Sequence, residues 1–510
     1  MEPLGGASPA PSHSARAHGT IIIVSPLGML LVLASTARYG SGLSPDSAHY
    51  IATARSLAAG KGFYSFSGWP YVAWPPLFPA ALAALTFLGV DPLDGARLLN
   101  AFVFGLIIYA FGRLLLRNVG STTLALLGAA AMVSAPLLRA SAMAWSEPLF
   151  VLLVLLFLMA LARFLESGRP RDLVLASALA ALCSLERYAG AAAVMTGCAV
   201  IMLRAPKGAW VWKLGHAAVF AVISITPVAL WLLRNYLLTS TPAGTRSPSG
   251  LTVWQSIRYT LDTATGWVLS GTPHWAVRVM VIGLAAAAVL VAARRLKGKR
   301  AAVLSARKAD LLAMGAFALA FASFQIAVSS LLSLDRIGDR LLIPLFVPVM
   351  FFVVVAADSS RATWEHAVGD ARRPRAIVTA LFAIWLLCSW SSAVAHAVRY
   401  ARRGVGGYAT AEWIASPTMG WPREHPPSSC LYSNAPDAVY LLTGFRSRCT
   451  PRDEADLEEL KAEASAGTGS YVVWFDRTKR TYLQPVDELI PALGLKEAKR
   501  FPDGTVYAMK

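Results

Sequence analysis

The chain has 510 residues, of which 56% are hydrophobic and only 15% charged. An ordinary soluble protein is about 25% charged, so this composition excludes the common soluble class and points to a bilayer. The formal net charge of +18 lies in short basic clusters between apolar runs, not in one arginine-rich patch with interleaved aromatics, which sets nucleic-acid binding aside.

Residues 1–18 are a low-complexity lead, expected to be disordered and cytoplasmic, with Arg16 as its basic residue. The apolar run that follows is long for a signal peptide, so an uncleaved anchor is expected. A membrane helix needs about 20 mostly apolar residues. On that criterion about eleven spans are expected, over 19–38, 94–116, 121–138, 147–165, 171–187, 188–204, 213–235, 276–294, 310–332, 341–358 and 376–398. Segment 76–91 is short and opens on Trp74-Pro75-Pro76, so it reads as an interfacial helix inside one long outer loop, 39–93. Cys183, Cys198 and Cys388 fall within apolar runs, where cysteine serves as a small hydrophobe.

Orientation follows from lysine and arginine. The strongest cluster, Arg294 to Lys308, predicts a cytoplasmic loop, and alternate loops place Arg113 and Arg117, Arg163 to Arg171, Arg204 to Lys213 and Arg361 to Arg375 on the same face. The N-terminus is then cytoplasmic and the C-terminus extracytoplasmic. Residues 399–510 gain charge and lose long apolar runs, and short runs at Cys430–Ser433, Ala438–Leu442, Tyr471–Phe475 and Val506–Met509 alternate with helical patterns at Asp453–Ala464 and Val486–Leu493. The expected architecture is therefore an all-α polytopic membrane domain over 19–398 with a small C-terminal α/β domain over 399–510. Cys430 and Cys449 are the only cysteines of that tail, and an oxidising compartment predicts a disulfide between them.

No acidic or basic residue falls near the middle of an expected span. That counts against ion-coupled transport, which needs charges near the midplane. Asp46, His49, Arg55, Glu147, Arg187, Arg234 and Arg340 gather instead at outer helix ends and in outer loops. Charges at one interfacial depth suit chemistry on an anionic lipid headgroup, although each alone also reads as a solvated helix end.

The first outer loop carries the most specific pattern. Asp46 opens a helix after Pro45, with His49 and Tyr50 three and four residues on, Arg55 further along and Gly62-Phe63 at its end. An acid there fits either helix capping or catalysis. Pro75-Pro76-Leu77, Ala96-Arg97-Leu98, Ser146-Glu147-Pro148, Arg187-Tyr188-Ala189-Gly190 and Arg340-Leu341-Leu342-Ile343-Pro344 follow in order. This succession, over roughly residues 20–360, resembles the GT-C glycosyltransferases, in the branch of the protein O-mannosyltransferases and the aminoarabinose transferase of lipid A. The resemblance implies transfer of a sugar from a polyprenyl-phosphate donor to a hydroxyl of a glycan, lipid or protein acceptor, at the outer face of a cell membrane, by inheritance the bacterial inner membrane.

It also implies roles. Asp46 is the general base of an inverting reaction, and Arg340 is the first choice for the donor phosphate, with Arg55, Arg187 and Arg234 behind it. Glu147, His49 and Tyr50 orient the acceptor or sugar. Many relatives place a carboxylate before the Pro-Pro pair, where this chain has Ala73 and Trp74. That departure leaves Glu147 as the nearest substitute and a divalent cation as the one cofactor left open, without any cluster of metal-site spacing. A non-catalytic lipid-binding or polymer-export protein is the alternative reading, and it would not need Asp46.

Overall fold

Inside lipid a backbone must satisfy its own hydrogen bonds, so long apolar runs are driven into helices. A computed structural model describes residues 11–204, 210–269, 274–283, 308–333, 335–368, 372–427, 431–465 and 471–509. Among them six helices are long and apolar enough to cross a membrane: Pro92–Asn118, Glu147–Ser167, Trp210–Thr239, Lys308–Leu331, Asp339–Glu365 and Arg372–Arg403. Thr122–Ala130 and Ala135–Ala142 meet at 46° and read as one broken span, which brings the number to seven at most.

The difference from about eleven has a physical basis in length. The expected spans 171–187 and 188–204 are helical, but as Pro170–Glu186 and Tyr188–Arg204 they reach only about 26 Å at 1.5 Å per residue, whereas the expected span 19–38 falls in the 25-residue helix Pro11–Ser35, whose apolar part is Gly19–Ser35. A bilayer core is about 30 Å thick. The expected span 276–294 lies largely outside the described residues, as does the basic cluster that precedes Lys308. Leu77–Thr86, with ten residues, is far too short to cross a bilayer core.

Charges on the long helices segregate to two depths. At one end Arg117 pairs with the buried Asp310 at 2.9 Å, Arg163 with Asp172 at 3.1 Å, and Arg361 with Asp358 at 2.8 Å. Asp358 also accepts the backbone N–H of Gly120 at 2.8 Å, fastening a loop to that end. Arg340 lies eighteen residues before Asp358 on one helix, roughly 27 Å away. Between the layers the interior is aromatic and aliphatic, with Phe104, Phe111, Phe150, Phe157, Phe317 and Phe321 fully buried.

Above the second layer sits the C-terminal region. Strands β1 (Leu431–Ser433), β2 (Ser447–Cys449), β3 (Tyr471–Phe475), β4 (Lys496–Phe501) and β5 (Gly504–Ala508) form one sheet in the order β2-β1-β3-β5-β4. The first three are mutually parallel, and β5 and β4 add antiparallel. Leu43, Tyr50, Ile51 and Phe78 of the first loop share a single apolar core with Val439, Val473, Phe475 and Val506. The chain crosses between them at Gly407, whose φ of +61° and 1.6 Å clearance to the Leu43 carbonyl oxygen at the Cβ position leave room only for glycine.

One expectation for this region changes. Ala438–Leu442 is not a strand but the centre of the helix Pro436–Thr443, because Pro436 sits at its start, Asp437 in its first turn and Gly444 in left-handed conformation at its end. The proposed bridge falls partly outside the described residues, since Cys430 is not among them; Cys449 stands opposite Ser433, two residues along from Leu431.

Candidate active site

Asp46 lies in the first turn of the helix Pro45–Ala58, whose entry is closed by other residues. The Ser47 hydroxyl accepts the Ser44 backbone N–H at 3.0 Å, so Asp46 is free of capping duty. Its carboxylate instead meets the guanidinium of Arg340. Arg340 also donates from Nε to Glu147 at 2.8 Å and from a terminal nitrogen to Asp335 at 2.9 Å. Its flat face rests on the Trp145 ring, 4.3 Å from the centroid. One arginine therefore gathers three carboxylates and an aromatic face, a use for which the rigid planar fork of guanidinium is suited.

Glu147 is the buried partner, 1% exposed at the side chain, and shares Oε1 between Arg340 and Arg187, each at 2.8 Å. Arg187 sits in extended backbone between two helices and donates also to the Ser146 hydroxyl at 2.9 Å. That turn is closed by Gly190, where a Cβ would come within 2.4 Å of the Cys183 and Ser184 backbone. Tyr50 extends the network, its hydroxyl 3.4 Å from Ser146 Oγ, and burial pushes its phenol pKa up. The neighbouring Glu186 is 2% exposed with neither carboxylate oxygen hydrogen-bonded among the described residues.

Of the residues expected from sequence, Asp46, Glu147, Arg187, Arg340 and Tyr50 converge. His49 stands beside them with a different job. Its Nδ1 lies 2.6 Å from Ser65 Oγ, and its ring packs on Phe66 and Trp74 at 4.9 and 4.5 Å. Burial lowers its pKa to about 4, against the pull of Asp46 and Asp437. An unfolded histidine protonates near 6.5, so the unfolded state binds more protons between these values. His49 thus favours the fold fully above about pH 6.5 and loses that contribution as pH falls toward 4. We expect roughly 2 kcal/mol of acid destabilisation, less than the full shift because the ring keeps some solvent contact. His49→Gln should flatten the thermal-stability profile between pH 6.5 and 4, and an unchanged profile would show that the ring titrates normally.

Arg55 and Arg234 are not drawn into the cluster. Arg55 pairs with Asp91 at 3.0 Å and lies over the Tyr440 ring. Arg234 donates to the Tyr71 carbonyl at 2.9 Å and covers Trp231, a scaffold for the 63–74 segment. Sequence reasoning missed Trp145 as a site residue, although it adjoins the motif Ser146-Glu147-Pro148, and read Ser146 only as part of that motif. Among the described residues no group of three or more His, Cys, Asp or Glu side chains is placed to hold a metal ion. Beside the first turn of the Arg340 helix lies a cavity of about 510 Å³, polar at Arg336 and Asp339 and apolar along Phe346, Met350 and Trp385.

No protein-family profile matches the chain, and no curated protein matches it in sequence. Solved structures do match. ArnT from Cupriavidus metallidurans bound to undecaprenyl phosphate aligns over 96% of this chain and 98% of its own, with TM-score 0.62 and 14% identity. Arabinofuranosyltransferase AftD from Mycobacteria aligns over 96% of this chain and 40% of its own, at TM-score 0.53 and 15% identity. The oligosaccharyltransferase AglB from Archaeoglobus fulgidus, in complex with an inhibitory peptide and a dolichol-phosphate, aligns over 91% and 70%, at 0.53 and 12%. The resemblance carried by the first-loop motif thus extends to the whole architecture: this chain has the fold of the GT-C membrane glycosyltransferases.

Proposed function

We propose that the protein transfers a sugar from a polyprenyl-phosphate carrier to an acceptor hydroxyl, with Asp46 as general base. The observation that carries this reading is the pairing of Asp46 with Arg340. In the resting structure the Asp46 carboxylate is engaged by the Arg340 guanidinium and not open to an acceptor hydroxyl. An incoming donor phosphate competes for the same guanidinium, and phosphate is well matched to its fork. As Arg340 turns to the phosphate, Asp46 is released to accept the hydroxyl proton. The acceptor oxygen then attacks the anomeric carbon from the face opposite the phosphate, the carbon–oxygen bond to the phosphate breaks with inversion, and Arg340 holds the departing phosphate.

Glu147 and Arg187 position Arg340 from behind, and the cavity along Phe346 and Met350 is suited to the first isoprene units of the carrier. Arg55 and Arg234 serve as scaffold in this reading. Mass spectrometry of envelope glycans and lipids tests it: a strain lacking the gene should lose one sugar from one product, and the wild-type gene but not its Asp46→Asn form should restore it. An unchanged envelope would sink the activity and leave a non-catalytic lipid-binding role.

The site faces outward in this reading, with the N-terminus cytoplasmic. In a cysteine-free variant, Lys479→Cys should react with an impermeant maleimide in intact cells and Lys299→Cys should not. Labelling of the second alone would invert the topology.

A further inference from the structure

A second cleft, of about 440 Å³, opens between the first outer loop and the C-terminal sheet. Pro45 and His49 line its floor, so it begins one residue from Asp46. Its wall is the carboxyl edge of the three parallel strands. Asp437 follows β1, Arg452 follows β2, and Arg480 and Tyr482 follow β3. The connection from β1 runs to β2 on one side, whereas β3 lies on the other, so the edge is a switch point in strand order. Crevices of α/β sheets bind ligands at such points, where two connecting segments diverge and leave the strand ends uncovered.

The chemistry of the lining selects among ligands. Arg448, Arg452 and Arg480 are matched by Asp437, Asp456 and Glu459, so the cleft has no net charge to recognise an anion. Arg480 and Asp437 pair at 2.6 Å, with the Tyr408 hydroxyl on Asp437 at 2.5 Å, a closed network that makes a rigid wall. Around it Trp69 is 60% exposed and Tyr482 is 53% exposed. Trp69 is held out on a tight turn, in which Gly68 with φ +88° bonds back to Ser65 at 3.0 Å and the Ser65 N–H bonds the Trp69 carbonyl at 2.9 Å. Large exposed rings beside balanced donors and acceptors suit a ligand with apolar C–H faces and polar edges. A pyranose or furanose has that form. A peptide would need a row of free backbone groups, and a lipid would need an apolar trough.

We infer that this cleft seats the saccharide part of the acceptor, stacked on Trp69 and Tyr482 and bonded by Arg452, Asp456 and Glu459, and so delivers its hydroxyl toward Asp46. This inference rests on the proposed transfer reaction for the word acceptor, but its test does not use transfer. Saturation-transfer NMR on the full chain in detergent, with a panel of methyl glycosides and disaccharides as probes, should find saturable binding of at least one. Trp69→Ala combined with Tyr482→Ala, both at exposed positions, should weaken it about 10-fold or more, and Arg452→Ala by a similar factor. Asp46→Asn should leave it unchanged, and undecaprenyl phosphate binding should be insensitive to all three cleft changes. Absence of binding by every probe, or binding that survives loss of both rings, overturns the assignment. Preferential binding of short peptides at the same residues overturns it as well. Glycoside binding by a chain that transfers no sugar would reject the activity and keep the cleft.

Discussion

Asp46→Asn is expected to reduce sugar transfer by about 100- to 10,000-fold while the protein still folds and reaches the membrane. The amide is isosteric with the carboxylate but cannot take up a proton as the acceptor hydroxyl attacks. Stability should change little, because Arg340 keeps Glu147 and Asp335 as partners and the Asn amide oxygen can still accept a hydrogen bond from its guanidinium. The competition between Asp46 and the donor phosphate for Arg340 adds a second, opposite effect. With the carboxylate neutralised, the donor meets less resistance, so its affinity should stay equal or rise as turnover collapses. Isotope-labelled donor binding measured beside single-turnover transfer separates the two. Full turnover in the Asn variant would reduce Asp46 to an ion-pair partner, and a parallel loss of donor binding would remove the competition from the mechanism.

Arg340 should be sensitive in a different way. Arg340→Ala removes the partner of three carboxylates, and Glu147, 1% exposed at its side chain, keeps only Arg187. Stripping one partner from a buried ion pair costs about 3–5 kcal/mol, so the variant should unfold at a clearly lower temperature as well as lose donor affinity. Arg340→Lys distinguishes the two losses. The ammonium retains the charge but cannot span Asp46, Glu147 and Asp335 in one plane or lie flat on Trp145. We expect near-normal expression with donor binding weaker by about 10- to 100-fold, the size of a lost charge-assisted hydrogen bond. Unchanged donor affinity in a folded Arg340→Ala protein would place the phosphate elsewhere, and the cavity wall at Arg336 is then the next position to test.

The sequence by itself determined most of the long apolar helices, that Leu77–Thr86 is too short to cross, and that charged residues avoid the middles of the expected spans. These features are local: apolar run length, proline position and charge spacing act within one segment. It also picked out Asp46, Tyr50, Glu147, Arg187 and Arg340 as candidates. It could not say whether Asp46 caps its helix, since an acid in a first turn serves either purpose; the decision fell to Ser44 and Ser47, which close the helix end. Nor could it say which arginine meets Asp46, because Arg340 is 294 residues distant along the chain and Arg55 only nine. Helix packing made that choice, seating Arg55 against Asp91 instead. The sheet shows the same division. Tyr471–Phe475 was legible from its apolar run, whereas Lys496–Phe501 is nearly all exposed and charged and becomes a strand only by pairing with Gly504–Ala508. Edge strands of that kind carry little hydrophobic pattern because one rim faces water, so only the tertiary partner reveals them.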